Sequence, residues 1–198
     1  MVTQNGVTRF WWVRHGPTHA RAFAGWRDIP ADLSDHAALA RLDAHLPRGA
    51  LLISSDLIRA RATADTLAKG RTRLPDDPAL REFHFGEWDG LPFDEVATRW
   101  PDLSRAYWQE PGDIMPPGGE SWHQAAARAH RAVAALLASY PQRDIVAVAH
   151  FGLILTQYQR AAGLSPEQAL AQHVDTLSVT CLGHSAAGWD VHSVNHCP

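Results

Sequence analysis

Histidine and arginine cluster at three points of this 198-residue chain, each where an apolar run ends. Arg14-His15-Gly16-Pro17-Thr18 follows a β-branched and aromatic run at 7–13. Ser54-Ser55-Asp56 closes a second run at 50–54, with Arg59 and Arg61 just beyond it. His150-Phe151-Gly152 follows Ile145-Val146-Ala147-Val148-Ala149. Guanidinium forks match phosphate oxygens in planar, bidentate geometry. Helix N-termini nearby would add backbone donors and a favourable dipole. Brought together, these groups would make an anion site, most naturally for phosphate, with one or two histidines in it.

The surrounding pattern says how they would meet. The run at 7–13 reads as a strand entering a tight loop, and 20–31 reads as irregular. Ser34-Asp35 caps a helical pattern with Leu39, Leu42 and Leu46 inward, stopped by Pro47 and Gly49. A second strand at 50–54 leads to a helix capped by Ser55, with Leu57, Ile58, Ala64 and Leu67 as its stripe and Gly70 past its end. An Ala-rich helix at 122–139, a fully apolar strand at 145–149 and a helix ending at Gly163 follow. Residues 166–172 suggest one more helix, and 177–182 with 189–194 a closing antiparallel pair. This order predicts an α/β fold with a mostly parallel sheet. Such sheets bind ligands outside the carboxyl ends of their strands, which would gather the three clusters on one edge. Residues 83–119 break the rhythm with Gly, Pro and Trp clusters and two short helical pieces. They read as an insertion covering one end of the sheet, within a single domain spanning 1–198.

Composition narrows the classes. Seventeen Arg against one Lys, Lys69, leave little room for lysine chemistry. A net charge of −3 without basic runs argues against a nucleic-acid partner. Cys181 and Cys197 do not make a disulfide framework, and no C-x-x-C pair suggests zinc. Residues 1–6 lack the charged and apolar regions of a leader, and no apolar run is long enough for a bilayer. The expectation is a cytoplasmic protein with no membrane partner and no cofactor. His19 lies four residues after His15, a metal-binding spacing on a helix, but Gly16-Pro17 favours a loop.

Five segments in order resemble the histidine phosphatase superfamily, also called phosphoglycerate mutase-like. They are Arg14-His15-Gly16-Pro17-Thr18, the stretch from Ser54-Ser55 through Arg59 to Thr63-Ala64, Leu80-Arg81-Glu82 through Trp88-Asp89-Gly90, Pro117-Gly118-Gly119-Glu120-Ser121, and Val148-Ala149-His150-Phe151-Gly152. The resemblance runs from about residue 7 to 163. It implies a three-layer α/β/α sandwich with a mostly parallel central sheet, an antiparallel edge strand and a short helical and loop insertion over the active site. It implies that His15 is a nucleophile forming a phosphohistidine. Arg14, Arg59 and His150 would hold the phosphoryl group, with Thr18 adding a hydroxyl. Glu82 would donate the proton to the leaving oxygen, its pKa raised by a partly desolvated setting. No metal is required.

Two positions depart from the family pattern. Pro17 stands where Glu or Gln is usual, and Asp89 replaces a frequent Glu. Arg59 and Arg61 cannot share a helix face at i, i+2, and the spacing from Ser54-Ser55 favours Arg59. Glu87 and Asp89 compete with Glu82 as the acid. Trp26, Trp88, Trp100, Trp108 and Trp122 lie where they could roof the site, while Arg128 and Arg131 read as the solvated face of a packing helix. The leading reading is a phosphomonoesterase for a small phosphorylated metabolite. A cofactor-dependent mutase and a non-catalytic phosphate- or phosphopeptide-binding module are the alternatives. The short, charge-poor insertion favours hydrolysis, and the Pro-Gly-Gly-Glu-Ser stretch is similar to that of α-ribazole and broad-specificity phosphatases. Exposed Trp in the insertion would suit a homodimer.

Overall fold

The computed structural model describes residues 6–198. Of the segment read for a leader, 1–6, residues 1–5 lie outside the described residues. Six strands form one sheet: β1 (Thr8–Arg14), β2 (Leu51–Ser54), β3 (Thr72–Arg73), β4 (Asp144–Ala149), β5 (Val179–Ser185) and β6 (Gly188–His196). Their spatial order is β3-β2-β4-β1-β5-β6. The first four in that order pair in parallel; β5 runs antiparallel to β1, and β6 antiparallel to β5.

Alternation along the strands builds the three layers. In β4, Ile145, Ala147 and Ala149 enter one core while Val146 and Val148 enter the other. The second core is closed by α1 (His36–His45) and α2 (Ile58–Thr66) through Leu42, Ala60 and Ala64. The first is closed by α5 (Trp122–Ser139) and α6 (Phe151–Ala162) through Ala129, Val133, Leu153 and Ile154. Trp12 is buried in that first core. Trp11 packs on the opposite side, with its ring edge-on to His45 of α1.

Local details explain the boundaries. Asp35 caps α1 by accepting from the Ala38 N–H, and Gly163 ends α6 in the left-handed region at φ 66. Ser121 and Gln124 form a reciprocal capping box on α5. The cap expected from Ser55 is absent, because α2 begins three residues later at Ile58. The Ile58 N–H instead meets the Asp28 carboxylate at 2.6 Å, so the loop after β1 caps the helix after β2. Within 83–119 lie α3 (Phe93–Arg99) and α4 (Pro101–Gln109); a short helix α7 (Pro166–Leu170) follows α6. Among the described residues, no helix is long and apolar enough to cross a membrane.

Candidate active site

Strand register brings the first cluster against the third. Arg14 of β1 lies opposite Ala149 of β4, so His15 and His150 leave neighbouring strands at the same level. The His15 N–H donates to the Ala149 carbonyl at 3.1 Å, and the two imidazole rings lie 5.0 Å apart. β2 flanks β4 on its other side, and Ser54 lies opposite Val148. The helix that follows, α2, carries Arg59 inward and leaves Arg61 exposed.

His15 is 6% exposed and tightly specified. Its Nδ1 lies 2.7 Å from the Gly16 carbonyl, which can only accept, so Nδ1 carries the proton. Nε2 then presents a lone pair, and Arg59 Nε donates to it at 3.2 Å. Burial, reinforced by the Arg59 charge, pushes the His15 pKa down to about 3, so the ring is neutral at ordinary pH. The loop behind it is pinned by Thr63, whose hydroxyl accepts from the Gly16 N–H at 3.0 Å and donates to the Arg59 carbonyl at 2.7 Å.

The cations are held by main-chain oxygen. Arg59 donates through its terminal nitrogens to the carbonyls of Arg27, Ala24 and Gly25. Asp89 braces that loop by accepting from the N–H groups of Gly25 and Arg27, each at 2.9 Å. Arg14 donates to the Val174 carbonyl at 2.6 Å and lies over the Phe151 ring, while its buried Nε has no partner among the described residues. Desolvation lowers the pKa of both arginines, which stay charged.

His150 is fully buried, and neither ring nitrogen has a partner among the described residues. An unsatisfied buried polar group costs about 1–3 kcal/mol. Its place beside His15 and two arginines suits completion by a bound anion. Burial, then the Arg59 charge, holds its pKa well below the usual histidine value.

Glu82 is buried beneath the N-terminus of α6. Its carboxylate accepts from the N–H groups of Phe83, Gly152 and Leu153 at 3.0, 3.1 and 3.2 Å. A side chain at Gly152 would put Cβ 2.8 Å from the Glu82 Oε1, so this approach needs glycine. Glu87 is exposed, and Asp89 is committed to the loop under Arg59.

Arg14, His15, Thr18, Arg59 and Glu82 line one cleft of about 270 Å³. The remaining walls are apolar and include Phe23, Phe85, Phe93, Trp108 and Phe151. Among the described lining residues, Arg14 and Arg59 are the cations. Of the five tryptophans placed near the site by sequence, Trp108 lines the cleft. Trp26 donates to the Glu82 carbonyl at 2.8 Å, and Trp88 and Trp122 are buried in the core.

Sequence reasoning missed one feature altogether. Arg128 does not lie on a solvated face: its guanidinium binds Glu120 through two bonds of 3.0 and 2.8 Å and reaches the backbone before Glu82. The spacing of Glu120 and Arg128, eight residues, carries no local signal for such a pair. His19 pairs with Asp32 at 2.9 Å in an exposed loop.

A model of the histidine phosphatase superfamily (branch 1) matches residues 10–196. The chain belongs to the histidine phosphatase superfamily. It is 30% identical over 177 residues to a 2,3-bisphosphoglycerate-dependent phosphoglycerate mutase of Brucella ovis, covering 83% of this chain and 86% of that one. It is 42% identical over 114 residues to glucosyl-3-phosphoglycerate phosphatase of Mycobacterium tuberculosis, 52% of this chain and 50% of that one. The structure of a mycobacterial glucosyl-3-phosphoglycerate phosphatase superposes with a TM-score of 0.84 at 29% identity, covering 96% of this chain and 99% of that one. This histidine phosphatase superfamily member therefore has both phosphatases and mutases among its relatives.

Proposed function

We propose that this chain is a metal-independent phosphomonoesterase acting on a small phosphorylated metabolite through a phosphohistidine on His15. The observation that carries the reading is the state of His15. Its Nδ1 proton is committed to Gly16, and its Nε2 lone pair lies beside Arg59 in a cleft that also holds Arg14 and Glu82. In the first step Nε2 forms a bond to phosphorus and the P–O ester bond breaks. The leaving oxygen takes a proton from Glu82. Arg59 shifts its Nε–H from His15 to a phosphoryl oxygen, and Arg14, His150 and Thr18 hold the others. In the second step a water oxygen attacks phosphorus and its proton passes to Glu82. The N–P bond breaks, releasing phosphate and restoring neutral His15.

The apolar upper walls support hydrolysis of a monophosphate whose alcohol carries no second anion. Similarity to the Brucella mutase over 83% of the chain favours a second reading, phosphoryl re-donation between hydroxyls. A bisphosphate would bring a second anion, and the described lining residues offer it no cations beyond Arg14 and Arg59.

The test is phosphate release from para-nitrophenyl phosphate with chelator present, comparing wild type with His15→Ala. Turnover that resists chelator and vanishes in the variant supports the reading, as does an acid-labile phosphoprotein trapped by quenching. Turnover retained by His15→Ala overturns it. Isomerisation of 3-phosphoglycerate that depends on 2,3-bisphosphoglycerate and outpaces phosphate release would favour the mutase.

A further inference from the structure

The backbone around Glu82 is held more heavily than a surface loop requires. Arg128, on α5, donates to the carbonyls of Ala79, Arg81 and Glu82 at 2.8, 2.9 and 3.2 Å. The same guanidinium binds both carboxylate oxygens of Glu120, whose Oε2 also accepts from the His84 N–H at 3.0 Å. The Glu120 N–H donates back to the His84 carbonyl at 2.8 Å. Three carbonyls before or at Glu82, and both polar backbone groups of His84 after it, are thus tied to one ion pair. Neither partner of that pair lines the cleft. Trp26 sits between, donating to the Glu82 carbonyl, with the guanidinium of Arg81 over its ring and Arg81 itself paired with Asp56.

The pair is also hard to replace. Arg128 uses all three guanidinium nitrogens, spread over five acceptor contacts. A lysine ammonium is a point charge without the planar fork. The Arg128 and Glu120 side chains are 13% and 20% exposed, so their bonds are shielded from the screening that weakens surface pairs.

We propose that Arg128 and Glu120 are positioning residues for proton transfer by Glu82. They fix the backbone that carries its carboxyl group, so that this group meets the leaving oxygen without further adjustment. This rests on the assignment of Glu82 as the proton donor. A general acid matters in proportion to how badly the leaving oxygen needs its proton. The clamp should therefore matter for alkyl esters and little for para-nitrophenyl phosphate, whose leaving phenolate is stable. A merely structural role would lower both activities by the same factor.

The experiment measures kcat/KM for β-glycerol phosphate and para-nitrophenyl phosphate, which reports phosphoryl transfer to the enzyme and not its later hydrolysis. Wild type, Glu82→Gln, Arg128→Lys and Glu120→Gln are compared. Glu120→Gln keeps the side chain's size and an acceptor for His84, so it reports on the clamp if Arg128→Lys does not fold. Glu82→Gln should lose about 100-fold or more on the alkyl ester, in line with general-acid contributions, and far less on the aryl ester. Arg128→Lys and Glu120→Gln should lose about tenfold or more on the alkyl ester and under about threefold on the aryl ester, a fraction of that general-acid effect. A selective loss in Glu82→Gln with equal or absent losses in the clamp variants overturns the clamp and leaves the acid assignment standing. Equal losses on both esters in Glu82→Gln overturn the acid assignment and the clamp with it.

Discussion

Arg59 Nε donates to His15 Nε2 over 3.2 Å, from a guanidinium whose other nitrogens are fixed to three carbonyls of the 24–27 loop. The fork is therefore held in place, and without a bound anion the Nε–H faces the imidazole nitrogen that would meet phosphorus. Arg59→Lys keeps a charge but loses the fork and the loop contacts. Removing one fixed donor of this kind costs about 3–4 kcal/mol of transition-state stabilisation, or roughly 10²–10³ in kcat. Steady-state kinetics on para-nitrophenyl phosphate should show that loss, while circular dichroism shows the fold retained. A loss under about fivefold, well short of that donor effect, would remove Arg59 from phosphoryl binding.

Burial, reinforced by that pairing, fixes a pH dependence. His15 titrates near 3 in the folded chain against an ordinary value of 6.5, and His150 is also lowered. Between those values the unfolded chain binds protons that the folded chain refuses. Stability is thus fully present above about pH 6.5 and falls with pH down to the folded value, by about 1.4 kcal/mol per pH unit for His15, with His150 acting in the same direction. Urea midpoints from pH 7 to pH 4 should fall accordingly. His15→Gln, which removes one of these titrations, should flatten the curve. Long-range nitrogen–proton NMR spectra should show His15 as the neutral Nδ1–H form at pH 5. A protonated ring there would contradict the geometry at Gly16.

Thr63 joins the loop of His15 to the helix of Arg59. Thr63→Val keeps the shape and removes the hydroxyl, stranding the Gly16 N–H in a buried place. The expected loss is about 1–3 kcal/mol of stability, with a fall in kcat as the loop loosens. Thr63→Ser should restore most of both. Thermal denaturation and kinetics on the same preparations measure the two effects. Equal behaviour of the Val and Ser variants would show that the hydroxyl does not hold the loop.

What the sequence could and could not tell follows from the range of each interaction. Arg14, His15 and His150 were legible because apolar runs end directly before them, and a parallel sheet puts such ends on one edge. Between Arg59 and Arg61, which face apart at i and i+2 on a helix, the spacing from Ser54-Ser55 singled out Arg59. The two-residue strand β3 was invisible, since Thr72–Arg73 is too short to show alternation. The Asp28 cap on Ile58 was hidden because its partners lie 30 residues apart. Arg128 was misread for the same reason. Its helix shows an ordinary polar face, while its backbone acceptors sit some 46–49 residues earlier. Local pattern records the period of an element, not the tertiary partner of one long side chain.

The apolar wall of the cleft predicts how substrates are sorted. Phe23 has Phe93 edge-on at 4.7 Å between ring centroids and Trp108 stacked at 6.1 Å, and all three rings line the cleft. Trp108 and Phe93 are 41% and 57% exposed, so they have surface left for a leaving group to cover. That contact would exist before and during phosphoryl transfer alike, which makes it uniform binding. Trp108→Ala should therefore raise KM for an aryl monophosphate with kcat nearly unchanged. Covering part of an aromatic ring contributes about 1–2 kcal/mol, or roughly 5- to 30-fold in KM. For β-glycerol phosphate, too small and polar to gain from the ring, the same variant should change KM little. A fall in kcat for both esters would instead place Trp108 in the chemistry, and no change for either would take the aromatic wall out of substrate recognition.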